Sequence, residues 1–209
     1  MKVFEYGSPD ARTVLIQPVD DHDLGMIERE IAGLRRLTAC EFRLLACKAD
    51  DWNNDLSPWA APAVFGKQGF GGGAEETLAE ILKLTRDKTR EYFIGGYSLA
   101  GLFALWAVYQ TEAFYGAAAA SPSVWFPGFT DYMRGRQPKC AAVYLSLGDR
   151  ESKTRNPVMA SVADRISEAQ AILAESGVDC VLEWNEGNHF KDADIRTARA
   201  FARLMNSRG

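Results

Sequence analysis

One serine in this sequence lies in surroundings that suit nucleophilic chemistry. Ser98 is the centre of the pentad Gly-Tyr-Ser-Leu-Ala at positions 96–100, between the apolar runs 92–94 and 102–106. A serine between a short strand and a helix, with small residues two positions away on either side, can occupy a tight turn that lifts its hydroxyl clear of a sheet. Similar patterns also occur in ordinary turns. The placement nevertheless predicts a nucleophile elbow at Ser98, with alanine in place of the usual second glycine.

The general base that such a serine needs is predicted to be His189. The chain has two histidines, His22 and His189, and only the second follows Ser98, as the chain order serine, acid, histidine requires. His189 belongs to the loop 186–190, just after the strand-like run 180–184. Catalytic groups gather at the carboxyl ends of strands in open α/β sheets, so this histidine is placed where a base would act.

A carboxylate is required to fix the tautomer of the histidine and to stabilise the imidazolium. The strand-like run 143–147 ends in the loop 148–152, which contains Asp149 and Glu151. The residues alone leave both candidates open. The carboxylate that is not used is expected to be a solvated loop charge, paired with a neighbouring arginine.

Composition limits the class of protein. The 209 residues are 47% hydrophobic and 25% charged, which predicts one globular domain over residues 1–209. The net charge of −4 argues against nucleic acid or an anionic membrane as the main partner, and no apolar run approaches the roughly 18 residues of a membrane span. The start shows no signal-peptide pattern, and the four cysteines lack metal-ligand spacing. The sequence thus predicts a cytoplasmic protein with free thiols and with neither metal nor cofactor.

Hydrophobic patterning predicts alternating strands and helices, hence an α/β protein with a mostly parallel, twisted sheet of about six to seven strands and helices on both faces. The predicted strands are 3–6, 14–18, 42–47, 92–94, 116–120, 143–147 and 180–184. The predicted helices are marked by Ile27, Ile31, Leu34 and Leu37; by Leu78, Ile81, Leu82 and Thr85; by the stretch 99–110; by Val158, Val162, Ile166 and Leu173 facing inward; and by the stretch 194–205.

With these elements in place the sequence resembles the α/β-hydrolase family, and within it the esterase branch that includes esterase D-type enzymes, ferric-siderophore esterases, feruloyl esterases and mycolyltransferases. The resemblance runs from about Val14 to the C-terminus and is carried by residues 96–105, by the Ser-Pro-Ser-Val-Trp run at 121–125, and by the acid and histidine loops. It implies a compact α/β-hydrolase fold without the first strands or a large cap domain. The branch tends to place its acid three residues after the glycine that closes the strand, here Gly148, so the resemblance implies Glu151 as the triad acid.

The mechanism implied is acyl transfer in two steps through an acyl-enzyme on Ser98. One oxyanion donor is expected to be the backbone N–H of Leu99. The other would come from the loop 19–23, with Asp20 as the candidate; it would act through its backbone, because a carboxylate opposes a developing negative charge. His22 is expected at a helix cap or in solvent, with contact to substrate as the alternative.

The segment 50–73 is the predicted substrate-binding loop, because it is long, lacks periodicity and contains aromatic residues among Pro, Asn and Gly. Trp52 is the candidate substrate contact, although the aromatic rings of this loop could equally pack inward as anchors. Trp125 is the second candidate, and it either lines the acyl or alcohol pocket or plugs the core beneath its loop. The glycine run 71–73 does not predict a phosphate cradle, because two glutamates follow it.

The leading hypothesis is a serine hydrolase that cleaves a small-molecule carboxylic ester through Ser98, Glu151 and His189. An acyltransferase, a thioesterase or a peptidase would use the same residues, so these activities stay open. A non-catalytic binding protein of the same fold usually lacks a member of the triad, whereas all three candidates are present here.

Overall fold

The fold is a seven-stranded sheet with helices on both faces, in a computed structural model that describes residues 1–207. The strands are β1 (Lys2–Gly7), β2 (Thr13–Val19), β3 (Phe42–Lys48), β4 (Ala60–Ala61), β5 (Phe70–Gly71), β6 (Glu91–Tyr97), β7 (Gly116–Ala120), β8 (Ala142–Gly148) and β9 (Asp179–Asn185). The helices are α1 (Asp21–Leu37), α2 (Trp52–Asp55), α3 (Ala74–Leu82), α4 (Leu99–Gln110), α5 (Phe129–Arg134), α6 (Pro157–Ala160), α7 (Val162–Glu175) and α8 (Ala193–Asn206).

The strand order of the main sheet is β1-β3-β2-β6-β7-β8-β9, and β4 pairs with β5 in a separate two-stranded sheet. β1 lies antiparallel to β3 at one edge, and the other neighbours in the main sheet are parallel. The predicted α/β class and the mostly parallel sheet are therefore confirmed. Because β6, β8 and β9 run in the same direction, the loops that follow them meet at one edge of the sheet.

One apolar core lies on each face of the sheet. Helices α3, α4 and α7 contribute Leu78, Leu102 and Ile166 to one core, and helices α1 and α8 contribute Ile31 and Phe201 to the other. Strand β7 is one glycine followed by four alanines, all buried, and its small side chains let α4 and α8 pack close to the sheet. Among the described residues no helix is long and apolar enough to cross a membrane.

Two predicted segments differ from the structure. The expectation that Val158 faces inward in one continuous helix is wrong, because α6 and α7 are separate helices and Val158 is 40% exposed. The side chain of Asn156 caps α6 and Pro157 occupies its first turn, so the chain makes a short helix before α7 begins. The segment 50–73, which was expected to be irregular, contains α2 and the β4–β5 pair.

Candidate active site

Ser98 occupies a sharp turn between β6 and α4. Its backbone has φ 56° and ψ −116°, a left-handed conformation that is strained for a residue with a Cβ. The Ser98 N–H donates to the carbonyl of Ala120 (3.1 Å), and the Ser98 carbonyl accepts from the N–H of Leu102 and of Ser123 (3.0 Å each). A Cβ at Gly96 would lie only 2.6 Å from the Cβ of Ala100. Small residues at these two positions therefore let the strand and the helix approach closely enough to hold the turn.

The structure brings the side chains of Ser98, His189 and Glu151 together from three separate loops. Nε2 of His189 lies 3.0 Å from Oγ of Ser98, and Nδ1 of His189 lies 2.7 Å from Oε2 of Glu151. Asp149 is turned elsewhere: its Oδ1 accepts from the N–H of Gly187 (2.7 Å), and its side chain is 52% exposed. Of the two candidate acids, only Glu151 contacts the histidine.

Glu151 is held as an ionised carboxylate by its contacts. Its other oxygen, Oε1, accepts from the N–H of Gly148 (2.7 Å), from the hydroxyl of Ser121 (2.8 Å) and from Nη1 of Arg196 (2.9 Å). Burial alone would raise the pKa of Glu151, but the hydrogen bond and charge of His189, with the Gly148 and Ser121 bonds, outweigh it and keep the pKa below its usual value. A carboxylate so placed can fix the tautomer of a histidine and stabilise its protonated form.

Several solved structures share this architecture. One is the siderophore hydrolase EstA from Aspergillus nidulans, with TM-score 0.70 and 22% identity over 97% of this chain and 86% of that one. An IroE-like serine hydrolase from Shewanella oneidensis has TM-score 0.78 and 14% identity over 99% and 76% of the two chains. The enterobactin esterase FES from Shigella flexneri has TM-score 0.69 and 13% identity over 99% of this chain and 56% of that one.

The chain has the α/β-hydrolase fold. The fold that the sequence motifs implied is thereby confirmed. No protein-family model and no curated protein matches the sequence. The identities to the solved structures are low, so the likeness lies in the arrangement of the chain.

Several side chains around the triad candidates were not predicted from the sequence. Oγ of Ser123 lies 3.2 Å from Oγ of Ser98, and Ser121, which contacts Glu151, has a positive φ of 42°. These two serines belong to the Ser-Pro-Ser-Val-Trp run, so the motif was visible but its contacts were not. Tyr97 donates its hydroxyl hydrogen to the carbonyl of His189 (2.8 Å). Burial, with the charge of Glu151, raises the pKa of Tyr97 to about 12, which keeps it a donor.

The two expected oxyanion donors have different surroundings. Leu99 begins α4 directly after Ser98, so its N–H belongs to the first turn of the helix and has no acceptor within it. Asp20 caps α1: its carboxylate accepts from the N–H of Asp23 (2.8 Å), and its own N–H points to a carboxylate oxygen of Asp23 (3.3 Å). The carboxylate of Asp20 is thus occupied in the cap, and so is the N–H that was expected to serve the oxyanion.

A cavity of about 350 Å³ lies beside the candidate site, between α1 and the loop before α8. It is lined by Tyr97 and Phe190, which neighbour Ser98 and His189 in sequence, and by acidic and polar groups of α1 and β2, whereas Ser98, Glu151 and His189 are not part of its lining. Burial raises the pKa of Asp23 to about 6 and that of Glu30 to about 8. His22 lies in the first turn of α1 on the wall of this cavity. Among the described residues no group of three or more His, Cys, Asp or Glu side chains is placed to hold a metal ion.

The buried carboxyl of Glu30 predicts a pH dependence of stability. Because its pKa is higher in the folded than in the unfolded chain, the folded state retains a proton between about pH 4.5 and about pH 8, and stability falls as pH rises through this window. Glu30→Gln is expected to remove this dependence. The free energy of unfolding of the variant, relative to that of the wild type, should therefore be higher at pH 8 than at pH 5 by on the order of 1 to 3 kcal/mol. Urea denaturation at the two pH values measures it, with Glu28→Gln, exposed on the same helix, as the control. Equal pH dependence in Glu30→Gln and the wild type would contradict the assignment.

Two aromatic residues of segment 50–73, Trp59 and Phe70, pack against the core, whereas Phe65 is exposed. The indole N–H of Trp59 donates to the carbonyl of Pro127 (3.0 Å), and the Phe70 ring packs edge-on against Phe126. Trp52 is partly buried against the same core. These contacts favour the anchoring alternative for Trp59 and Phe70, and a substrate contact by Trp52 stays a prediction.

Trp125 is 8% exposed, with its ring 5.9 Å from that of Phe65 and 6.2 Å from that of Phe70. This burial leads us to expect that Trp125→Ala lowers the free energy of unfolding by about 3 to 5 kcal/mol. A thermal melt beside a series of esters measures it, and Trp184→Ala, at a half-exposed tryptophan on β9, is the matched control. An altered ester preference with an unchanged Tm would instead assign Trp125 to the substrate pocket.

Proposed function

We propose that this chain is a single-domain serine hydrolase that cleaves a small carboxylic ester, with Ser98 as nucleophile, His189 as general base and Glu151 as the acid that orients the base. The observation that carries the proposal is the unbroken contact from Ser98 Oγ to His189 Nε2 (3.0 Å) and from His189 Nδ1 to Glu151 Oε2 (2.7 Å). The similar structures described as a siderophore hydrolase, a serine hydrolase and an enterobactin esterase support it.

In the first step, Oγ of Ser98 attacks the ester carbonyl while Nε2 of His189 takes the hydroxyl proton. The ester C–O bond then breaks, the protonated histidine gives that proton to the leaving alcohol, and an acyl-enzyme remains on Ser98. In the second step a water molecule loses a proton to His189 and attacks the acyl carbon. Collapse of this second intermediate releases the acid and returns the proton to Ser98.

The negative charge on the carbonyl oxygen needs two donors during both steps. We assign one to the N–H of Leu99, at the start of α4. The second comes from the connection between β2 and α1. Because the Asp20 N–H is turned to Asp23, we assign this donor to an N–H of the first turn of α1, at Asp21 or His22, since these groups have no acceptor within the helix.

The substrate side of the proposal rests on the cavity beside the site. Its volume of about 350 Å³ accommodates a small acyl or alcohol group, and Phe190, 88% exposed, offers an apolar ring at its wall. We propose a soluble small-molecule ester as the partner, with neither nucleic acid nor membrane involved, and a cytoplasmic location in which the four cysteines remain thiols.

A fluorophosphonate probe followed by a series of p-nitrophenyl esters of increasing chain length tests the proposal. We expect the probe to form a covalent adduct that peptide mass spectrometry places on Ser98, and the shortest esters to be hydrolysed fastest. Enterobactin belongs in the series because one of the similar structures is described as an enterobactin esterase in the presence of this compound. Matched thioesters, amides and added alcohol acceptors distinguish a thioesterase, a peptidase and an acyltransferase. A folded protein that neither reacts with the probe nor cleaves any ester would favour the non-catalytic alternative.

A further inference from the structure

Arg196 is a buried cation that contacts the loops of all three triad candidates. It lies in the first turn of α8, and its side chain is 3% exposed. One nitrogen, Nη1, lies 2.9 Å from Oε1 of Glu151 and 3.1 Å from the hydroxyl of Tyr97. The other, Nη2, donates to the carbonyl of Glu186 in the histidine loop (3.1 Å). A single guanidinium thus joins the acid loop, the strand that leads to Ser98 and the histidine loop.

The contacts of Arg196 leave one carboxylate oxygen of Glu151 for the histidine. Oε1 is occupied by Arg196 together with the Ser121 hydroxyl and the Gly148 N–H, whereas Oε2 bonds only to His189. The carboxylate plane is therefore fixed from the side opposite His189. Gly148 allows this crowding, because a Cβ there would lie 2.9 Å from Oε1 of Glu151 and 3.1 Å from Nη1 of Arg196.

A contribution to stability alone does not explain why the charged pair of Arg196 and Glu151 is buried. Removing an arginine and a carboxylate from water is costly, and well-packed apolar residues of similar volume are often as stabilising as a buried ion pair. The guanidinium of Arg196 instead orients the groups around it, because its donors bond to a carboxylate, a hydroxyl and a backbone carbonyl on three different elements.

We propose that Arg196 is a positioning residue for the reaction, which fixes the carboxylate of Glu151 against His189 and whose positive charge opposes proton uptake by the Glu151–His189 pair. The inference rests on the proposed function for its kinetic part only. The hydrogen bonds of Arg196 go to Tyr97, Ser121, Glu151 and Glu186 and not to Ser98, so it acts through Glu151 and through the histidine loop. The proposal makes two separable predictions, one for geometry and one for charge.

Other charged groups around the pair are more exposed than Arg196 or already paired with each other. Asp149 lies 4.0 Å from Arg150 in the acid loop, and Glu186 lies 3.3 Å from Lys191 in the histidine loop. Across the cavity, Arg29 of α1 lies 3.2 Å from the buried Asp194 of α8. The remaining titratable groups on that side are Tyr97, His22, Asp23, Glu30 and Asp192.

The test combines NMR titration of the histidines with steady-state kinetics of the whole protein. The chain has only two histidines, so His22→Gln assigns both signals. In Arg196→Met, we expect the midpoint of the His189 titration to rise by about one pH unit, because a nearby positive charge is lost, and the acid limb of kcat/KM to move with it. We also expect kcat to fall about 100-fold with little change in KM, because the base is no longer held in place.

Two further variants separate charge from geometry. Arg196→Lys retains the charge but cannot reach Glu151 and the Glu186 carbonyl together, so its titration midpoint should stay near the wild-type value while kcat falls. Arg199→Met, one turn further along α8, removes an arginine that bonds to Glu183 and Asn185 instead, and it should change neither quantity. If Arg196→Met does not fold, Arg196→Gln, which removes the charge but keeps an N–H donor, replaces it.

The two proposals fail in different ways. An unchanged His189 midpoint in a folded, charge-removing variant overturns the electrostatic part of the role of Arg196, whatever the esters show. A wild-type kcat in Arg196→Lys overturns the geometric part. A shifted midpoint in a protein that hydrolyses no ester keeps the electrostatic role of Arg196 and rejects the proposed function.

Discussion

Replacement of Ser98 by alanine is expected to abolish ester hydrolysis and covalent labelling by a fluorophosphonate. The change removes only Oγ, the atom that lies 3.0 Å from Nε2 of His189, so no atom remains to form the acyl-enzyme. Loss of the attacking group should lower kcat on the order of 10⁴ to 10⁶-fold. The backbone strain at φ 56° is the same for alanine as for serine, and the serine side chain makes no capping bond to α4, so the fold should persist.

Kinetics on the ester series, intact-mass measurement after labelling and a thermal melt check this expectation together. Ser167→Ala, at an exposed serine of α7 far along the chain from the elbow, is the matched control and should react like the wild type. If Ser98→Ala is labelled as fast as the control, the nucleophile has been assigned to the wrong residue.

The elements nearest to Ser98 could be predicted from the sequence because their signals are local. The expected helix 99–110 and strand 116–120 coincide with α4 and β7. Both are set by short-range features, the small residues that permit the elbow and a run of alanines with no bulky side chain. The parallel arrangement followed from the alternation of strands and helices, and it brought the loops with Ser98 and His189 to one edge of the sheet.

Contacts between distant parts of the chain could not be predicted in this way. Arg196 reaches Glu151 across 45 residues of sequence, and nothing in the pattern of α8 distinguishes it from Arg199, which faces other partners. The expectation for Asp20 missed a competing local interaction, because its side chain and N–H serve the capping box of α1. A sequence pattern shows which groups are available at an edge of the sheet, whereas side-chain direction decides which of them meet.

The residues alone did not decide between Glu151 and Asp149, because the choice depends on side-chain direction. Replacement of Glu151 by glutamine is expected to cause a large loss of activity. In Glu151→Gln, the carboxylate that accepts from His189 Nδ1 at 2.7 Å becomes a neutral amide. An amide at this position can hold the imidazole in the wrong tautomer and does not stabilise its protonated form, so kcat should fall by up to about 10⁴-fold.

Asp149→Asn makes the same chemical change two residues earlier and is the matched comparison. Its amide oxygen can still accept from the Gly187 N–H, and the side chain is 52% exposed, so turnover should be only slightly reduced. Glu151→Gln also leaves the buried Arg196 without its anionic partner, which costs about 3 to 5 kcal/mol when such a pair is broken. Kinetics must therefore be measured at a temperature where a thermal melt shows each variant to be folded. A large loss in Asp149→Asn with near-normal turnover in folded Glu151→Gln would make Asp149 the acid, and it would mean that His189 turns toward the other side of its loop during the reaction.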